Sequence, residues 1–350
     1  MSDRRGPWFP TVVVVGGFLG AGKTSLIVKS AEILQRRGLV AAAIMNDQSD
    51  GLVDTGYAAA RRVPVSEVAG GCFCCRFSDL LDAAGELRAV RPDVIFAEPV
   101  GSCIDVAATV IRPLQIHHGD RFRVAPLTVL FDPALAARVA AGSVNGSVEY
   151  LFRNQIAEAD VVCASKGDVY PVPRRPAPDF VLSAKTGAGV EPWLDQICGA
   201  GQHAGGRLLD VDYAEYGAAE ATLGWLNVRA AAELRAAASP AALLGPLLDD
   251  LDQRLSSEGA IIAHLKLFDQ TRSGYLKAGI SGNGELPGLD GDLLGEPERL
   301  HELTLNLRAV ADPPRLEAIV RSSLAALPGR VELRSVSAFR PAQPVPQYRT

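Results

Sequence analysis

The sequence predicts an α/β protein in which a mostly parallel sheet covered by helices is followed by a smaller α+β domain. Between Thr11 and about Gly199, continuous apolar runs such as TVVVVGG (11–17) and DVIFAEP (93–99) alternate with helical stretches. This alternation is typical of parallel strands that are buried on both faces. Beyond a small, flexible stretch, GAGQHAGG (199–206), the expected order becomes strand, helix, three strands, helix and strand, which indicates an open antiparallel sheet with two helices on one face.

The length and this change of pattern predict two domains. A chain of 350 residues is long enough for two domains that each bury a core. We place the first, α/β domain at 1–200, a linker at 201–216, the smaller α+β domain at 217–342 and a loose, proline-rich tail at 343–350.

The composition excludes several classes of protein. A net charge of −5 and a pI near 5.6 leave no basic footprint, so we expect no nucleic-acid partner. The longest apolar runs are far shorter than the roughly 18 residues of a membrane span, so no membrane association is expected. Six cysteines in so long a chain do not form the pattern of a disulfide scaffold, which favours a reducing, cytoplasmic location.

The first predicted strand leads into a glycine-rich phosphate loop. The stretch GGFLGAGKTS (16–25) matches G-x-x-x-x-G-K-[ST] between a strand and a helix, the context that this motif requires. Backbone N–H groups of such a loop and the positive end of the helix dipole bind anions. We expect Lys23 to reach the β- and γ-phosphates and Thr24 to hold Mg²⁺. The predicted phosphate-binding residues are Gly17, Gly20, Ala21, Gly22, Lys23, Thr24 and Ser25.

Two other predicted strands end in carboxylates. Because ligands bind at the carboxyl ends of strands in an open α/β sheet, Glu98 is expected to hold Mg²⁺ through water or to orient the attacking water. Gly101 offers its N–H near the γ-phosphate, and Asp47 is a second Mg²⁺-side or switch carboxylate. A capping role for Glu98 and an Asx turn for Asp47 are the alternatives. The candidate catalytic residues are therefore Lys23, Glu98 and Asp47.

The ends of two later predicted strands favour guanine. The stretch SKGD (165–168) approximates N-K-x-D, in which an Asp carboxylate accepts from both N1–H and the exocyclic amine of guanine. The stretch SAK (183–185) matches an element whose backbone N–H meets guanine O6. A polar turn is the alternative for either stretch alone, but both together after a phosphate loop favour GTP over ATP. The predicted base-binding residues are Ser165, Lys166, Asp168, Ser183 and Ala184.

Three thiols fall within four positions in EVAGGCFCCRF (67–77). A turn can bring Cys72, Cys74 and Cys75 to one ion, and thiolates favour zinc or Cu(I) over magnesium. Three protein ligands leave one position open, which suits transfer of the ion. Buried structural thiols and a redox switch are the alternatives. Cys103 is a candidate fourth ligand, although a plain strand-end thiol is the preferred interpretation.

Taken together, these motifs resemble the CobW family, P-loop GTPases related to the UreG and HypB metallochaperones. The resemblance covers about the first 200 residues and is most specific at the C-x-C-C element (72–75). It implies a GTP-hydrolysing protein that carries a metal, often zinc or cobalt, to a client. Three features depart from the family pattern: Asp47 replaces the common Glu, Pro99 replaces Ser or Thr, and no histidine-rich loop is present.

We therefore expect a cytoplasmic GTPase that binds GTP, Mg²⁺ and Zn²⁺, with Co²⁺ as the other candidate ion. It acts as a metal chaperone or metal-regulated insertase for a client metalloprotein, with slow intrinsic turnover and with a homodimer as one assembly it can form. The alternative is a GTP-dependent regulatory switch with redox-sensing thiols and no metal delivery. A small-molecule kinase is a third class, which the guanine motifs oppose.

Overall fold

The computed structural model describes residues 8–49, 51–199 and 201–350, and it separates the chain into two units, each built on one sheet. Unit 1 takes its described residues from Met1–Asp50, Arg61–Ala219 and Gln343–Thr350. Unit 2 comprises Gly51–Ala60 and Glu220–Ala342.

This division differs from the boundaries expected from the sequence at three places. Residues 51–60 belong to unit 2, although they lie between segments of unit 1. The stretch expected to be a linker, 201–216, is part of unit 1. Residues 343–350, expected to form a loose tail, also belong to unit 1 and make defined hydrogen bonds there.

Strands and helices are numbered here in chain order. The strands are β1 (Thr11–Gly17), β2 (Ala41–Asn46), β3 (Val65–Val68), β4 (Val94–Glu98), β5 (Arg123–Val124), β6 (Thr128–Phe131), β7 (Val161–Ala164), β8 (Phe180–Val181), β9 (Gly224–Ala238), β10 (Ile261–Gln270), β11 (Tyr275–Ile280), β12 (Gly288–Gly291), β13 (Glu298–Val310) and β14 (Gly329–Phe339). The helices are α1 (Lys23–Arg36), α2 (Val53–Ala60), α3 (Phe77–Glu86), α4 (Arg112–His118), α5 (Pro133–Ala140), α6 (Gly146–Glu158), α7 (Val190–Ile197), α8 (Tyr213–Ala221), α9 (Pro240–Ser257) and α10 (Pro313–Ala325). Within the described ranges, the helices lack the combination of length and hydropathy that a bilayer span requires.

The sheet of unit 1 is parallel and has the order β3-β2-β4-β1-β6-β7-β8, with β5 also paired to β1. All seven residues of β1 are buried, as expected for a valine-rich central strand between layers of helices. The predicted fold class is thereby confirmed for this part of the chain. Since the strands run the same way, the loops that follow β1, β2, β3 and β4 meet at one edge of the sheet.

One strand at this edge was not predicted. β3 is short and only its last residue, Val68, is buried, so its sequence shows no continuous apolar run. Its pairing with β2, in which Asn46 lies opposite Val68, places the cysteine-rich stretch directly after a sheet strand.

The sheet of unit 2 is antiparallel and has the order β12-β11-β10-β13-β9-β14. Helices α9 and α10 share one buried core with one face of this sheet, through residues such as Leu251, Leu265, Leu307 and Leu316. This matches the predicted α+β arrangement of two helices on one face. Strand β12 was not predicted, because its sequence GLDG carries no apolar alternation.

Helix α2 packs against the opposite face of the unit 2 sheet. On β10, Leu265 and Leu267 join the core with α9 and α10, whereas Lys266 between them faces α2, because alternate residues of a strand point to opposite faces. The Lys266 Nζ atom lies 2.6 Å from an Asp54 carboxylate oxygen, and both side chains are largely buried. Tyr57 donates a hydrogen bond of 2.9 Å to Asp290. No feature of the sequence of α2 predicted this position.

Replacing Asp54 by Asn is expected to destabilise unit 2. Burial acts to raise the pKa of the Asp54 carboxyl, but the charges of Lys266 and Lys277 outweigh it and hold the pKa below its ordinary value. Breaking a buried ion pair costs about 3 kcal/mol. A carboxylate with a lowered pKa stabilises the fold above its unfolded pKa of about 4, so the difference between variant and wild type should shrink as the pH falls below about 4.

Urea unfolding followed by circular dichroism at several pH values measures this effect. Glu317→Gln is the matched control, because Glu317 forms an exposed pair with Arg321 on α10 and such pairs contribute less than about 1 kcal/mol. Equal losses for the two variants, or a loss at Asp54 that does not depend on pH, would contradict the buried pair.

Candidate functional site

The loop between β1 and α1 has the backbone that the phosphate-loop motif requires. Gly17 has a φ of 130°, and a Cβ atom there would lie 2.1 Å from the carbonyl oxygen of Leu130, so only glycine is tolerated. Gly22, with a φ of 87°, directly precedes α1, whose first residue is Lys23. The Lys23 ammonium donates a hydrogen bond of 3.0 Å to the Gly17 carbonyl oxygen and thus crosses the loop.

Glu98 lies against this loop at the end of β4. The Thr24 hydroxyl donates a hydrogen bond of 2.9 Å to Glu98 Oε2, and Lys23 Nζ lies 3.7 Å from Glu98 Oε1. A Cβ atom on Gly101 would lie 2.7 Å from the side chain of Leu19, so Gly101 packs directly on the phosphate loop. A hydroxyl and a carboxylate that converge in this way are hard oxygen donors, the ligand type that Mg²⁺ prefers. These residues therefore fit Mg²⁺.

Asp47 follows β2 at the same edge, in a turn. Its Oδ1 accepts a hydrogen bond of 2.6 Å from the Gln48 N–H, and its own N–H donates to the Val68 carbonyl oxygen. This bond comes from the next residue, whereas an Asx turn accepts from the N–H two positions on, so the Asx alternative for Asp47 stays a prediction. The carboxylate is half-buried at the sheet edge, beside the strand that leads into the thiols.

The two predicted base-binding loops lie side by side after β7 and β8. The Gly167 N–H donates a hydrogen bond of 3.0 Å to the carbonyl oxygen of Leu182, which precedes Ser183. Asp168 is exposed and Ala184 is half-exposed, so both are accessible from solvent. The Ser165 hydroxyl donates to the Phe131 carbonyl oxygen and anchors the first of the two loops to β6.

Asp132 is a residue of this site that sequence reasoning missed. Its Oδ2 accepts a hydrogen bond of 2.6 Å from Lys166 Nζ, while its Oδ1 caps α5 by accepting from the Ala134 N–H. Asp132 therefore fixes the direction of the Lys166 side chain at the edge of the base loop. The pattern Asp-Pro after a strand signals a helix N-cap, but nothing in it points to Lys166.

The three predicted thiols form one cluster. The Cys72 sulfur lies 2.8 Å from that of Cys74 and 3.3 Å from that of Cys75, and the third separation is 3.6 Å. The N–H groups of Cys75 and Arg76 both donate to the Cys72 carbonyl oxygen, which closes the turn. Gly71, with a φ of 156°, precedes it. The thiol turn, residues 71–76, is thus compact enough for one ion to contact all three sulfurs.

Asn46 at the end of β2 holds the thiol turn in place. Its side-chain amide donates to the carbonyl oxygens of Val68 and Gly71, at 2.9 and 2.7 Å, and its Oδ1 accepts from the Phe73 N–H at 2.8 Å. These contacts make Asn46 a positioning residue for the thiols, a role that the sequence did not predict.

Cys103 forms a hydrogen bond with Cys72, whereas the ligand sulfurs that lie within 4.8 Å of one another in this part of the described chain are those of Cys72, Cys74 and Cys75. Hydrogen bonds with the Cys103, Cys74 and Cys75 side chains hold the pKa of Cys72 well below its usual range. The hydrogen bond with Cys72 conversely raises the pKa of Cys74, and it raises that of Cys75 to about 11. The cluster thus favours a thiolate at Cys72, which hydrogen bonds with the neighbouring cysteine side chains stabilise. The guanidinium of Arg76 pairs with Asp79.

Residues 11–175 match the family model described as CobW/HypB/UreG, nucleotide-binding domain. The matched range spans the phosphate loop, the thiol turn, Glu98 and the loop 165–168, whereas Ser183 and Ala184 lie beyond it. Among solved structures, the chain is similar to HypB from Helicobacter pylori in complex with nickel, with 16% identity over 54% of this chain and 86% of that chain and a TM-score of 0.40. It is also similar to the Zn(II)-bound YjiA GTPase from E. coli, with 14% identity over 91% of this chain and 99% of that chain and a TM-score of 0.31.

Asn46→Asp should loosen the thiol turn. The variant keeps the acceptor for the Phe73 N–H but loses both donated hydrogen bonds, which contribute about 1 kcal/mol each. We expect a free energy of unfolding lower by about 2 kcal/mol, measured by urea unfolding. Asn154→Asp is the control, because Asn154 donates only to a carbonyl oxygen within its own helix. If Asn46→Asp costs no more than the control, Asn46 does not position the turn.

Proposed function

We propose that this chain, whose residues 11–175 form a nucleotide-binding domain of the CobW/HypB/UreG family, is a GTPase that binds a thiophilic metal ion and delivers it to a client protein. One observation carries the proposal. Thr24 contacts Glu98, the last residue of β4. The loop that follows Glu98 reaches Cys103, which contacts Cys72. The segment 98–103 therefore connects the phosphate loop, where Thr24 contacts Glu98, with the thiol cluster. A structural change at either site can thus be transmitted to the other.

The base loops support GTP as the nucleotide. Asp168 is exposed after β7, where its carboxylate is free to accept from N1–H and the exocyclic amine of guanine. Lys166, held by Asp132, provides an aliphatic stem beside the base. Adenine presents an acceptor at N1, so it cannot make the two-point contact with a carboxylate.

The phosphate loop supports hydrolysis of that nucleotide. Lys23, which the Gly17 carbonyl and Glu98 hold across the loop, stabilises negative charge on the β- and γ-phosphates. Glu98 accepts a hydrogen bond from the Thr24 hydroxyl and orients the attacking water. Asp47, in the turn after β2, is the second carboxylate on the Mg²⁺ or switch side of the site. Thr24, and Glu98 through water, would hold Mg²⁺, which would supply positive charge against the phosphates. We expect intrinsic turnover to be slow.

The thiol cluster supports a thiophilic cargo. The three sulfurs lie within 3.6 Å of one another. In tetrahedral zinc sites, bonds of about 2.3 Å place sulfurs about 3.8 Å apart, so a small separation of the three sulfurs would let them bind one ion. Zn²⁺ is the favoured cargo and Co²⁺ the other candidate, and Cys103, which forms a hydrogen bond with Cys72, is a candidate fourth ligand. The receiver is a client metalloprotein, and a homodimer is one assembly that the chain can form.

Asp168→Asn should shift the preferred base of the nucleotide from guanine to xanthine. The variant loses charge-assisted hydrogen bonds worth about 1.5–3 kcal/mol, so GTP affinity should fall by at least about tenfold. Affinity for XTP should rise, because an amide can accept from N1–H and donate to the C2 carbonyl of xanthine. Fluorescent-nucleotide competition measures both. Asp210→Asn, an exposed acid elsewhere in unit 1, is the control. A variant that keeps wild-type GTP affinity would mean that Asp168 does not contact the base.

Zinc affinity should depend on the nucleotide. Because binding couplings are reciprocal, a competing chelator should report zinc affinities that differ by about fivefold or more between the GDP-bound and GTP-analogue-bound protein. Serine at Cys72, Cys74 or Cys75 should lower zinc affinity by at least about tenfold, since even outer-shell losses have that size. Cys198→Ser is the control, as its half-buried thiol lies outside the cluster.

Two results would contradict this proposal. Equal zinc affinity in both nucleotide states would rule out transfer by this route, and unchanged zinc stoichiometry in all three cluster variants would place the metal elsewhere. The close approach of the Cys72 and Cys74 sulfurs also favours a second candidate, a GTP-dependent switch with redox-sensing thiols. Thiols that oxidise reversibly with peroxide in a protein that retains no zinc would support that candidate.

A further inference from the structure

Residues 343–350 lie along the thiol turn, although they follow unit 2 in the sequence. We call this segment the strap. The Val345 N–H donates a hydrogen bond of 3.2 Å to the Cys75 sulfur, and the Gln347 N–H donates one of 2.8 Å to the Cys74 carbonyl oxygen. The strap therefore contacts a sulfur and the backbone of the same turn. Cys75, which receives the first hydrogen bond, is the least buried of the three clustered thiols.

Side chains fix the strap beyond the turn, on α3 and α4. The Gln347 amide accepts from the Ser78 N–H at 2.9 Å, at the start of α3. The Tyr348 ring packs against the Phe77 ring, with centroids 5.2 Å apart, and against the His117 ring at 5.4 Å. An aromatic contact and a paired amide hold this part of the strap in one position.

The far end of the strap is anchored to the loop that follows Cys103. The Arg349 guanidinium donates to Asp105 Oδ2 at 2.8 Å and to the Leu209 carbonyl oxygen at 2.8 Å. Asp105 is buried, has a φ of 62°, and also accepts from the Tyr213 hydroxyl at 2.6 Å. A non-glycine residue in this backbone region is uncommon and persists where its surroundings hold it.

We propose that the strap is part of the thiol site: Val345 positions Cys75, and the strap as a whole limits the access of metals and reagents to the three sulfurs. Its two ends contact the thiol turn and Asp105, which lies two residues after the segment 98–103, so a rearrangement of that segment releases the strap. The proposal rests on the proposed function for the identity of the cargo, but coverage of the thiols is a property of the protein without metal.

Thiol reactivity of the reduced, metal-free protein tests the strap at both ends. Arg349→Ala removes the anchor on Asp105, and Val345→Pro, between two existing prolines, removes the N–H that donates to the Cys75 sulfur. We expect the clustered thiols to react with an aromatic disulfide reagent about fivefold faster in each variant, the effect of losing one hydrogen bond. Val345→Ala, which keeps the N–H, and Arg153→Ala, which removes an exposed arginine paired on α6, are the matched controls.

The outcomes separate the strap from the proposed function. Wild-type reaction rates in both Arg349→Ala and Val345→Pro would overturn the strap. Faster rates in these two variants, with controls at the wild-type rate, support it whether or not the protein retains zinc. If the protein does bind zinc, release to a chelator should accelerate in the same two variants. Faster thiol reaction without any zinc binding would reject the metal cargo and leave the strap as a cover for redox-active thiols.

Discussion

Parallel pairing of β3, β2, β4 and β1 is the constraint on which the site depends. Each strand ends in a loop with its own chemistry, and parallel pairing brings all four loops to one edge. The chain can therefore place sulfur donors beside oxygen donors although they are far apart in sequence. The small distances then follow from local contacts: Asn46 bridges the ends of β2 and β3, and Thr24, in the first turn of α1, contacts Glu98 at the end of β4.

The parts that the sequence predicted are those with a local physical signal. Buried strands read as apolar runs, and a glycine loop between a strand and a helix reads as a phosphate loop, since both patterns arise from neighbouring residues. The clustering of Cys72, Cys74 and Cys75 also follows from their spacing. The strand β3, at the edge of the sheet, is only partly buried and therefore lacks the apolar run that predicts a buried strand.

The parts that the sequence did not predict depend on partners distant along the chain. The bonds of Asn46 reach residues 22 and 25 positions away, Lys166 finds Asp132 34 positions earlier, and Val345 reaches Cys75 270 positions back. A proline-rich stretch such as 343–350 predicts a loose tail on composition alone, because composition does not report which surface it meets. The contact of Cys103 with Cys72 was not predicted for the same reason, because the sequence around a single cysteine does not show which residues the fold brings next to it.

The membership of α2 in unit 2 has a consequence for how the chain is organised. The polypeptide passes between the units at residues 50–51, 60–61, 219–220 and 342–343, so neither unit is one uninterrupted stretch of sequence. A chain that ended at residue 219 would keep α2 but lose the unit 2 sheet, and with it Lys266, which neutralises Asp54. It would also lose Val345, which donates a hydrogen bond to Cys75. Because the two units alternate along the sequence, no single cut of the chain separates them into two complete parts.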